Sequence, residues 1–138
     1  LVALLIAVAG CGSAAKPDSG TTPTTSAGSG AVPTVSTPQE AATMADVPLY
    51  PGATFPNGKS QQPKKDESGK LHIYLFMETK DPVEKVVQFY QSAGQFSVLK
   101  QSNMQQLQGL SKKGNLELIT VTGSPTGTTI DVKSVQGG

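Results

Sequence analysis

Apolar and polar residues are spread very unevenly along this chain, and each arrangement predicts its own kind of structure. Leu1 to Gly10 is an unbroken run of apolar and small residues without a charge. From Gly12 to about Thr37 the pattern vanishes into Ser, Thr, Gly, Ala and Pro, with no aromatic residue and no period. Leu71 to Thr79 reads as the clearest strand. Leu71, Ile73, Leu75 and Met77 share one face, and His72, Tyr74, Phe76 and Glu78 share the other. The second face is itself partly apolar, so the strand is expected to be central, with a helix against one face and the other partly covered.

Val83, Val86, Val87, Tyr90 and Ala93 recur at helical spacing, and Phe89 broadens the stripe. Asp81 is placed to cap this helix, Pro82 to occupy its first position and Glu84 to complete a capping box. Gly94 offers a left-handed stop. Together these residues predict a helix over about 82–93.

Short strands are expected at 96–102, 105–112, 115–122 and 128–135, with a first strand between Thr54 and Gln62. Pro63 to Gly69 is the expected charged loop before Leu71. Lys113-Gly114-Asn115 and Gly123-Ser124-Pro125-Thr126-Gly127 are hairpin turns. Along the strand between them Leu116, Leu118 and Thr120 alternate with Glu117, Ile119 and Val121. The order β-β-α-β-β-β-β implies an α+β fold, one antiparallel sheet with one main helix on one face.

Residues 11–46 read as a tether. The stretch to Thr37 buries too little apolar surface to offset the entropy of ordering, so disorder is expected. Some 35 residues of this composition average on the order of 30 Å end to end. The Thr/Ser/Pro mix also suits O-glycosylation. Thr37-Pro38-Gln39-Glu40 looks like a helix start, but the segment to Ala45 is short and lacks an apolar face. The head is expected over 47–138, opening with Pro48-Leu49-Tyr50-Pro51-Gly52-Ala53. Pro51-Gly52 suits a type II turn, since proline presets φ and glycine accepts φ > 0.

The first run is about half the roughly 20 residues needed to span a bilayer, so it reads as the apolar core of an export signal. It closes on Val8-Ala9-Gly10-Cys11, which resembles the lipobox of bacterial lipoproteins. That resemblance implies cleavage between Gly10 and Cys11 and a diacylglyceryl anchor on Cys11, with no other cofactor. The absence of an initiator Met and of a basic stretch suggests that the sequence begins inside the signal. Gly12, where an inner-membrane retention signal would usually be Asp, points to the outer membrane if the cell has one. The Tyr50-Pro51-Gly52-Ala53 opening, followed by a hairpin and a helix carrying Phe89-Tyr90, is similar to small head domains of many uncharacterised bacterial lipoproteins. That resemblance brings no activity with it.

Composition narrows the chemistry further. The 138 residues carry a formal net charge of +1, and all 11 basic residues are Lys. That balance argues against nucleic acid, whose readers lean on Arg. The single Cys excludes an intrachain disulfide framework and a Cys-based zinc site. His72, the only histidine, has no Asp or Glu at metal-ligand spacing and reads as a structural or surface residue. Tyr50 reads as a lid on the core, with ligand contact as its other possible role. Lys64-Lys65 and Lys112-Lys113 fall at hairpin ends. If those ends adjoin they form a small cationic patch for a phosphate-bearing polymer or lipid headgroup. Otherwise they are turn lysines that keep the edge soluble.

The leading expectation is a non-enzymatic, lipid-anchored envelope protein whose exported head binds or scaffolds an envelope protein or polymer. A small envelope hydrolase, or an accessory subunit of one, is the alternative. It requires a carboxylate and a Ser beside His72. A head that binds anionic polymer through the lysine doublets is the third.

Overall fold

The computed structural model describes residues 31–56, 60 and 62–137. The apolar run, Gly10, Cys11 and most of the expected tether lie outside them. The elements in chain order are α1 (Pro38–Ala45), β1 (Lys64–Lys65), β2 (Leu71–Thr79), α2 (Val83–Ala93), β3 (Gln95–Gln101), β4 (Met104–Leu110), β5 (Leu116–Ser124) and β6 (Gly127–Gln136). They form a six-stranded sheet of order β1-β2-β6-β5-β4-β3, and every pairing is antiparallel. The class is α+β. Among the described residues no helix is long and apolar enough to cross a membrane.

The core lies between one face of the sheet and two helices. Ile73, Leu75 and Met77 of β2 point into it, with Ile130 and Val132 of β6, Ile119 and Val121 of β5, and Leu107 of β4. The long strands favour β-branched and large apolar residues on this parity, which suits a pleated surface packed against helices. α2 covers it with Val86, Val87 and Tyr90, all buried. The ring of Phe89 meets Tyr50 and Tyr90 edge-to-face, at 5.2 and 5.0 Å between centroids. No described element packs on the opposite face of the sheet.

The expectation of one main helix is corrected by α1, which packs beside α2 on the same sheet face. Thr37 caps it with a complete capping box: its hydroxyl accepts from the Glu40 amide, and the Glu40 carboxylate accepts from the Thr37 amide. Its buried residues are Ala41, Ala42 and Ala45, and Val35 is buried just before it. The expected disordered tether to residue 46 and the expected head start at Val47 therefore misplace α1. Small side chains let the helix backbone approach the sheet without a large apolar stripe.

Three local expectations are also corrected. Asp81 does not cap α2: the N-cap is Pro82, which makes no side-chain cap bond. The Asp81 carboxylate instead accepts from the Tyr50 hydroxyl at 2.7 Å and pairs with Lys85 at 3.0 Å. Gly94 is extended, with φ −158°, rather than left-handed. A Cβ there would lie 2.6 Å from the Phe96 ring, so close approach explains the glycine. Finally, no strand fills 54–62 among the described residues. Thr54 forms a single bridge to Glu78, and β1 falls on Lys64–Lys65 inside the expected loop. The Pro51-Gly52 turn forms as expected, with Gly52 at φ +74° and the Ala53 amide bonded to the Tyr50 carbonyl.

Candidate functional site

The C-terminal ends of α1 and α2 and the β4–β5 turn surround a cleft of about 700 Å³. α1 contributes Ala42, Thr43 and its cap Asp46. The other walls include Leu49, Phe96 and Lys113. Asp46 takes the left-handed conformation, φ +61°, that ends the helix. Its carboxylate accepts from the Lys113 amide at 2.9 Å, with the Lys113 ammonium at 3.9 Å. The rim is thus a pinned charge pair above an apolar floor. It suits an uncharged or zwitterionic amphipathic group better than a bare ion.

Beside this cleft, on the inward parity of β5, sits a residue that the pattern of the chain did not single out. Glu117 is fully buried. The Ser134 hydroxyl lies 2.8 Å from its Oε1 and 3.4 Å from the Ala45 carbonyl, while its Oε2 has no hydrogen-bond partner. Desolvation pushes the Glu117 carboxyl up to about 8, opposed by the Ser134 bond and assisted by the charge of Asp46. A protonated Glu117 can donate to Ser134, which then donates to the last carbonyl of α1. A serine hydroxyl carries one proton, so ionised Glu117 and the Ala45 carbonyl compete for it. The only signal in the chain was parity: Glu117 shares the parity of Ile119 and Val121, which both face inward.

The structure brings an acid and a serine to His72, but in the wrong order for catalysis. His72 Nε2 lies 2.8 Å from Asp66 Oδ2. The Ser68 hydroxyl donates to Asp66 Oδ1 at 2.7 Å rather than to the imidazole. The bond to His72, then that to Ser68, hold the Asp66 carboxyl well below the usual range, which makes it a poor base for Ser68. Asp66 also accepts the amides of Ser68 and Lys70 and so organises the β1–β2 turn. The imidazole lies nearly parallel to the Tyr74 ring, 6.4 Å away.

Tyr50 is buried, and burial followed by its bond to Asp81 raises its hydroxyl to about 12. It is a strut between the Pro51-Gly52 turn and the start of α2. The two lysine doublets lie toward the same end of the sheet, but β6 and most of β2 and β5 separate β1 from the β4–β5 turn. At about 4.8 Å per strand they stand some 15 Å apart and do not merge into one patch. Among the described residues, no group of three or more His, Cys, Asp or Glu could hold a metal ion. No protein-family model, curated protein or solved structure matches the chain.

Proposed function

We propose that this chain is an exported lipoprotein, anchored in the cell envelope through Cys11, whose α+β head binds an envelope component without transforming it. The observation that carries the reading is Val8-Ala9-Gly10-Cys11, closing an apolar run and followed by a Ser/Thr/Gly/Pro stretch. Two acyl chains at about 0.8 kcal/mol per buried CH₂ suffice for stable anchoring. The resemblance of the Tyr50-Pro51-Gly52-Ala53 opening to lipoprotein head domains points the same way. A binding rather than catalytic head is supported by the work its acidic residues already do. Asp66 holds a turn, Asp81 ties Tyr50 to α2, and Glu117 lies under α1. The cleft beside Asp46 and Lys113 is the place for a small ligand.

The test is metabolic labelling with a radioactive fatty acid, followed by membrane fractionation. Wild type should take up label and sediment with membranes, whereas Cys11→Ser should remain unlabelled and appear in the soluble fraction. A Cys11→Ser chain that still sediments, beside an unlabelled wild type, would overturn the anchor. For the head, Thr43→Trp should fill the cleft and abolish capture of the envelope component retained by wild type. Capture unchanged by Thr43→Trp would move the binding site elsewhere.

A further inference from the structure

The outward face of the sheet carries no charge on β3, β4 or β5. Outward positions there are Gln, Ser, Thr, Leu and Met, whereas an ordinary solvated surface is about a quarter to a third charged. Leu99, Leu110 and Leu116, at 56, 56 and 44% exposure, all lie on this face. The charges that the face does carry, Lys64, Lys133, Asp131 and Glu78, sit on the other flank, on β1, β6 and β2.

The strand registers make this asymmetry self-complementary. β5 runs down the middle, flanked by β6 and then β2 on one side and by β4 and then β3 on the other. Consider a second copy turned by 180° about an axis parallel to β5. Its β4 then faces β6, and its β3 faces β2, at the same height along the strands. Val135 meets the other copy's Leu110, since both pair with Leu116 in the sheet. Phe76 meets Leu99, both being in register with Thr120 through Asp131 and Gln106. Lys133 meets Gln108, Asp131 meets Gln106 and Glu78 meets Gln101. Each of these three charges thus faces an amide, which offers both a donor and an acceptor, while Lys64 on β1 lies beyond the matched strands. Leu116 and Leu118 lie on the axis and meet their own counterparts.

We propose that a second copy of this chain covers the outward face, in a symmetric dimer whose twofold axis runs along β5. The strands from β2 to β3 and the matched positions along them span about 25 Å by 27 Å, so the pair buries about 1,300 Å² in total. That falls within the roughly 1,200–2,000 Å² of stable interfaces. The contact is isologous, as closed dimers require, and sheets stacked face to face at about 10 Å complete a four-layer αββα assembly. The dimer does not depend on the lipid anchor.

Sedimentation velocity of the full-length Cys11→Ser chain tests it apart from the anchor. A dimer is expected, and Leu118→Lys, which sets two lysines against each other on the axis, should raise its dissociation constant at least about 100-fold. Circular dichroism checks that the variant folds. Leu99→Lys, at a position already 56% exposed, is the second variant and should weaken the dimer without touching the core. A short bismaleimide should join Thr120→Cys to its own copy but leave Ser97→Cys, some four strand spacings from its counterpart, unjoined. A monomer at every concentration overturns the proposal, as does a dimer indifferent to both lysine variants or a reversed crosslinking pattern. A monomer that uses Leu118 to bind lipid vesicles or an envelope protein assigns the face to that partner, and overturns it too.

Discussion

The two helices lie on one face of one sheet and are held by opposite means. α2 is bonded by burial: Val86, Val87 and Tyr90 reach into the core, and its first turn has no side-chain cap. α1 fully buries only alanines, with Met44 half-buried against the core, and is held by polar ties at both ends. Its start is closed by the Thr37–Glu40 box. At its end the Ser134 hydroxyl reaches the Ala45 carbonyl, and Gln136 donates to the Met44 carbonyl. The last turn of a helix leaves carbonyls without partners, and β6 supplies them. A helix anchored by apolar side chains tolerates changes in polar chemistry, whereas one anchored by hydrogen bonds inherits the protonation state of its partners.

The largest effect should come from the burial-held side. Tyr90→Ala removes a fully buried ring and should cost about 3–5 kcal/mol in urea unfolding, with α2 amides the first to lose protection from hydrogen exchange. A loss below about 1 kcal/mol would break the contrast.

Next is Glu117→Gln. The native carboxyl keeps its proton to about 8, against 4.5 for an unperturbed one. The native state therefore binds more protons than the unfolded state between these values. This contribution to stability is greatest below about 4.5, falls by several kcal/mol as pH rises to about 8, and then levels off. Glu117→Gln should flatten that slope and be the more stable protein at alkaline pH. Asp66 and Asp81, whose carboxyls are lowered, act in the opposite sense at the acid end. Relative to the intrinsic base-catalysed rate, hydrogen exchange at high pH should quicken in α1 and not in α2. Equal quickening in both helices would count against the link through Ser134.

Ser134→Ala leaves the Ala45 carbonyl and Glu117 without their shared partner. It should cost about 1–3 kcal/mol, with amides near Asp46 and Val47 exchanging faster. Smallest is Thr37→Ala, at about 1 kcal/mol, confined to the first turn of α1. If it loosened α2 equally, the two helices would form one unit.

The same contrast explains what could be read from the chain. β2 and α2 were legible because burial writes a period: alternation at Leu71–Thr79 and a stripe from Val83 to Tyr90. α1 writes none. Its cap was visible at Thr37-Pro38-Gln39-Glu40, but its docking depends on Ser134 and Gln136, some ninety positions away. The short β1 was hidden for a similar reason, since Asp66 gathers its turn through His72, Ser68 and Lys70. The alternation puts Glu117 on the right strand, but only the sheet register shows it opposite Ser134. Cys11 rests on local pattern alone. The lysine doublets could be found by eye, and only the strand order shows that they lie apart.

The attachment of α1 has a mechanical side. A pull on the chain from its N-terminal side reaches Val35 and α1 before any strand. The ties there are the two bonds between Val35 and Gln62, the cap at Thr37, then Gln136 and Ser134. Loaded from one end, these bonds break in succession, as a zip opens, whereas the long β2–β6 ladder shares its load over many bonds. Residues 35–46 would release about 40 Å of extended chain before Val47 and Tyr50 took the strain. The helix is a built-in slack reel, yielding under tension while the sheet keeps its shape.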